Sequence, residues 1–67
     1  MIDQLQYARE YRDLVIELEG EGLTTSDAQG CAEAELSKKY GVSEMQVVRQ
    51  NPQGWLDANE QLEREGK

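Results

Sequence analysis

The chain has no histidine and no phenylalanine, one cysteine, one proline, and half as many cations as acids. Each shortage excludes something. Without histidine there is no imidazole to act as general base or zinc ligand, and a lone Cys31 can neither close an intramolecular disulfide nor assemble a thiolate cluster. A glycine-rich phosphate loop and a nucleophile with an evident base are also missing, so no enzyme, cofactor, metal or small-molecule substrate is expected. No apolar run approaches the ~20 residues of a membrane span, and Met1-Ile2-Asp3 lacks the basic and apolar regions of a secretory signal. With one unpaired thiol, a cytoplasmic protein is the expectation. Valine and isoleucine are few while Glu, Gln, Ala, Leu and Arg are plentiful, which favours helices over strands.

What remains is a single short domain, residues 1–67, with the last few residues expected to fray. A chain of this length buries only about 60% of the surface its unfolded form exposes. Lacking a disulfide or metal staple, it must rely on helix packing or on oligomerisation. The expected fold is all-α: a small bundle of three longer helices and one short one.

The first helix reads from Asp3 to Glu19. Asp3 can cap it, and Leu5, Ala8, Tyr11 or Arg12, Val15 and Leu18 recur at three- and four-residue steps with Leu14 beside them. Arg9, Glu10, Asp13 and Glu17 mark the opposite face, and Gly20 or Gly22 supplies the left-handed residue that stops the helix. The second helix opens at Thr24, Thr25 or Ser26, with Leu23 placed to staple onto Ala28. Its predicted stripe is Ala28, Cys31, Ala32, Glu35 or Leu36, Lys39 and Tyr40, which makes Cys31 a small buried hydrophobe. Gly30 inside this helix costs ~1 kcal/mol relative to alanine, and close approach of the first helix is the expected reason for it. Asn51-Pro52 ends a third helix and starts a fourth, asparagine as cap and proline at the first helical position. The fourth helix runs to about Arg64 with Trp55, Leu56, Ala58 or Asn59, and Leu62 on its apolar side and Glu60, Glu63 and Glu65 toward solvent. Trp55 reads as a helix-docking residue.

The most informative stretch is Leu36 to Asn51, LSKKYGVSEMQVVRQN. Gly41 permits the tight turn, Val42 folds back onto the core, and Ser43 with Gln46 forms a capping box for the third helix. Leu36-Ser37, Gly41-Val42-Ser43 and Val47 follow the leucine and small residue, Gly-Val-Ser turn and buried valine of small bacterial and phage helix-turn-helix regulators. The stretch resembles that family over these sixteen residues only, with Gln50 where the family is apolar and Val48 where its DNA-facing surface is polar. The resemblance implies a DNA-binding accessory or transcription regulator, acting as a dimer. Ser43, Glu44, Met45 and Arg49 would face base edges, and Lys38 and Lys39 would approach phosphates.

Charge supplies a rival reading. Leu36–Gln50 holds three cations against one acid, a local balance of +2; the remainder holds four basic and thirteen acidic residues, a balance of −9 within a net charge of −7. So thin a footprint gives weak DNA binding with a shallow salt dependence. The alternative is an acidic interaction module or inhibitor whose partner is a basic protein, with no DNA binding. Its surface would combine Tyr7 and Tyr11 as aromatic anchors with Glu17, Glu19 and Glu21, either a solvated helix end or a mimic of phosphate spacing. Under that reading Gly-Val-Ser is a helix connection and Lys38 and Lys39 are ordinary cations at a helix C-terminus.

Overall fold

A computed structural model describes residues 2–66. They form four helices and no strand: α1 (Gln4–Gly20), α2 (Thr25–Tyr40), α3 (Glu44–Gln50) and α4 (Pro52–Glu65). The expectation that the last residues fray falls partly on Lys67, outside the described residues; α4 itself continues to Glu65.

Each boundary has a local chemical cause. Asp3 accepts hydrogen bonds from the Leu5 and Gln6 amides at 3.0 and 3.2 Å, capping α1. At its other end Gly22 takes φ +104°, its amide donates to the Glu19 carbonyl and that of Leu23 reaches back to Leu18. That bond pair is a Schellman motif, and it identifies Gly22 rather than Gly20 as the left-handed residue. Thr24 Oγ1 accepts from the Asp27 amide and starts α2. Gly41, at φ +75°, ends it through a single bond from its amide to the Ser37 carbonyl. The Ser43–Gln46 capping box is complete: the Ser43 amide donates to Gln46 Oε1 at 2.8 Å and the Gln46 amide to Ser43 Oγ at 3.3 Å. Asn51 caps α4 through Gly54, with Pro52 at the first position.

Helix α1 is the hub. It packs on α2 along one side and on α4 along the other, while α3 spans the ends of α2 and α4. The molecule is a slab of 33 × 30 × 15 Å, so its core is correspondingly thin. Tyr7, Leu36 and Val47 form the centre, rimmed by half-buried Tyr11, Leu14, Tyr40, Val42 and Trp55. Tyr7 stacks at a tilt on Tyr40 and edge-on to Trp55, with ring centroids 5.5 and 6.1 Å apart. The seams beside this centre are lined by alanines, Ala8, Ala28, Ala32 and Ala58, which let the helices approach closely.

Several sequence expectations are corrected. The buried positions of α2 are Ala28, Ala32 and Leu36, at steps of four, and that phase turns Cys31 to solvent. Gly30 is exposed as well, with nothing within 4 Å of where a Cβ would stand, so close packing does not explain it. Leu56 is turned away from the core of α4. Glu63 and Glu65 do not simply face water: Arg12 and Arg9 of α1 pair with them at 3.7 and 3.1 Å. Gly30→Ala is therefore expected to stabilise the fold by about 0.8–1 kcal/mol, the helix-propensity difference, measurable by urea unfolding; a loss of stability would mean that Gly30 has a contact after all.

Candidate functional site

The stretch from Leu36 to Asn51 supplies the candidate site. Its connecting turn, Gly41-Val42-Ser43, sets α3 across the end of α2, and Val47 anchors α3 from beneath at 0% exposure. Met45 and Arg49 project outward, Met45 with 61% of its surface exposed, and Lys38 is exposed on the last turn of α2. Ser43 is half-buried with its hydroxyl engaged by the Gln46 amide, so that oxygen caps a helix and does not reach for a base edge.

Lys39 is also committed. Its ammonium donates to Glu10 of α1, as does the Tyr40 hydroxyl, and it lies 5.3 Å from the Tyr40 ring centroid. Bonds from Lys39 and Tyr40 hold the Glu10 carboxyl below its ordinary range, and the same contacts raise Lys39 and Tyr40. Because the folded Glu10 value is depressed, this stabilisation is present above the unfolded carboxylate pKa and is lost as pH falls through the folded one. Glu10 was assigned to the solvent face of α1; in the fold it is the acceptor that ties α1 to the end of α2.

Glu44 behaves in the opposite way. It is half-buried at the first position of α3, and burial, reinforced by the charge of Glu33 on α2, raises its carboxyl. A raised acid opposes folding once ionised. The penalty is absent below the unfolded pKa of about 4.3 and sets in as pH rises through the folded value. Glu44→Gln is thus expected to raise the melting temperature at pH 7, with the gain fading on acidification below the glutamate range; an equal gain at both pH values would show that charge is not its cause.

Glu33, which sequence reasoning passed over, lines an open groove of about 280 Å³ with Glu44, Met45 and Val48. The available signal was its position four residues before Ser37, on the face of α2 that turns toward α3. A larger groove of about 540 Å³ runs between α1 and α2, where Glu10, Asp13, Glu17 and Glu35 face Lys38 and Lys39. The acidic interaction surface expected from sequence does not form one patch. Tyr7 is 0% exposed and belongs to the core centre, and Tyr11 lies on its rim. Glu19 accepts a hydrogen bond from the Thr25 hydroxyl at 2.8 Å, while Glu17 and Glu21 stand exposed near the end of α1. Among the described residues no cluster of histidine, cysteine and acids has the makings of a metal site, and no helix is long and apolar enough to cross a membrane. In comparisons with known proteins, no family model, curated protein or solved structure matches this chain.

Proposed function

We propose that this chain is a small acidic protein-interaction module whose partner is basic, built on a helix-turn-helix-like scaffold and not used to read DNA. The observation that carries this reading is the fate of the motif's charges. Of the three cations in Leu36–Gln50, Lys39 is neutralised by Glu10, and the outward side of α3 opens on two carboxylates, Glu33 and Glu44. Duplex DNA presents one negative charge per ~1.7 Å of axis, so a helix that enters its groove behind two acids meets repulsion where it needs attraction. The chain's net charge of −7 works in the same direction at long range.

The DNA-binding reading keeps one specific support: Lys38 and Arg49 are exposed on either side of the turn, and neither is in an ion pair among the described residues. An NMR titration of the full chain at low salt separates the two. Mixed-sequence duplex is expected to leave the amide spectrum unchanged, whereas a lysine- and leucine-containing amphipathic peptide shifts it in a salt-dependent way. Shifts with duplex centred on Lys38 to Arg49 and abolished by Arg49→Ala would overturn the proposal in favour of DNA binding.

A further inference from the structure

The four ion pairs among the described residues engage Glu10, Glu60, Glu63 and Glu65; Glu33 and Glu44 are among the ten acids without a cation. These two acids come from different helices and line one groove, whose other lining residues are Met45 and Val48. The larger groove between α1 and α2 carries its own lysines, so its charge is partly answered from within; the groove at α3 has acids and apolar side chains only. The Tyr7 hydroxyl is buried in the core beneath, against Ser37 of α2. After burial itself, the charge acting most strongly on that hydroxyl is that of Glu44, with Glu33 contributing as well. Tyr11, one turn further along α1, feels the same two carboxylates.

We propose, resting on the protein-interaction reading above, that the groove walled by Glu33, Glu44, Met45 and Val48 receives an amphipathic helix of another protein, with a lysine or arginine seated between the two carboxylates. Charge complementarity selects the cation. Met45, largely exposed and flexible, supplies an adaptable apolar contact for a neighbouring leucine or methionine of that helix, and Val48 a stiffer one. A helix suits the site because an all-α molecule has no sheet edge onto which a strand could be added, and a helix places a cation and an apolar residue three or four positions apart on one face. Each copy of this chain carries −7, and of the cations in the described residues only Lys38 and Arg49 are not already paired within the fold, so a second copy is the poorer match.

The test uses the full chain and a helix-forming peptide that bears lysines on one flank of a leucine stripe, with a control in which glutamate replaces every lysine. Titration of the lysine peptide is expected to shift the Glu33, Glu44, Met45 and Val48 amides first, and the control peptide is expected not to bind. Neutralising both acids (Glu33→Gln with Glu44→Gln) is expected to weaken binding by about tenfold or more, and Met45→Ser to weaken it without altering its salt dependence. Urea unfolding of the double variant, expected to match or exceed the parent because Glu44 is half-buried with a raised carboxyl, separates lost binding from lost fold. If the peptide binds but its shifts centre on Glu10, Asp13 and Glu17, or its affinity ignores the two glutamines, this site assignment is overturned while the interaction reading stands. If no peptide binds and duplex DNA does, both fall. Self-association that competes with the peptide would assign the groove to a second copy and overturn the choice of partner.

Discussion

Leu36→Ala is expected to remove about 2–5 kcal/mol of stability. Leu36 is 2% exposed, it shares the core centre with Tyr7 and Val47, and Leu14, Tyr40 and Val42 pack around that centre. A domain of this length has about 3–10 kcal/mol in all, at ~0.05–0.15 kcal/mol per residue, so the variant should be partly unfolded at room temperature. Because each kcal/mol moves the melting temperature of so small a domain by roughly 4–8 °C, thermal unfolding followed by far-UV circular dichroism should fall by on the order of 10 °C or more. Leu56→Ala is the control. With 62% of Leu56 exposed, it should stay within about 0.5 kcal/mol of the parent. Comparable losses for the two variants would mean that the core does not lie where the buried residues place it.

The contrast between those leucines marks what the sequence can convey. Features set by neighbours in the chain were legible: Asp3, Thr24, Ser43 and Asn51 as caps, Gly41 as the left-handed stop, Pro52 at the first turn. Each is a contact between residues two to five apart, so the spacing contains the geometry. The buried face of α2 was only partly legible. The predicted stripe contained the buried Ala28, Ala32 and Leu36, but small side chains at Gly30, Cys31 and Ala34 as well left its edge undefined, and it took in the exposed Cys31 and Lys39. Only packing against α1 sets that edge. Leu56 was misplaced for a related reason, since it adjoins Trp55 and one step around a helix separates rim from solvent.

Pairings across the fold were the least legible. Glu10 receives Lys39 from twenty-nine residues away, and Glu33 meets Glu44 only because the Gly41 turn brings α3 back beside α2. The candidate site was therefore half read. The outward positions of Lys38, Met45 and Arg49 follow from the periodicity of their helices, but the groove that Met45 shares with Glu33 depends on a tertiary neighbour. The local balance of +2 assigned to the motif counted charges by position in the chain, and the fold redistributes them.

Gly54→Ala is the variant expected to reverse the usual helix rule. An alanine inside an exposed helix normally gains about 1 kcal/mol over glycine, as argued for Gly30. At position 54 the added Cβ would stand 2.5 Å from both the Gln4 Oε1 and the Asn51 Nδ2, and 2.9 Å from the Asn51 Cγ. Those side chains are not idle. Asn51 caps α4 by accepting from the Gly54 amide at 3.1 Å, and Gln4 Nε2 donates to the Val47 and Asn51 carbonyls at 2.7 and 3.1 Å. Displacing both removes a cap of about 1 kcal/mol and two hydrogen bonds of about 1 kcal/mol each, partly replaced by water at this exposed edge. Against the propensity gain, the net expectation is a loss of about 1–2 kcal/mol, read by urea unfolding. A Gln4→Ala background isolates the cause: with the side chain already gone, part of the steric conflict and both of its bonds are absent, so the added cost of Gly54→Ala should shrink. If the cost is the same in both backgrounds, the conflict lies with Asn51 alone. Gln4 reaches forty-three residues along the chain to hold the last turn of α3 against the start of α1, and through that hold it fixes how α3 presents Glu44 and Met45 beside Glu33. Loosening it should therefore weaken capture of the lysine peptide in proportion to the freedom gained by α3, though neither Gln4 nor Gly54 lines the groove.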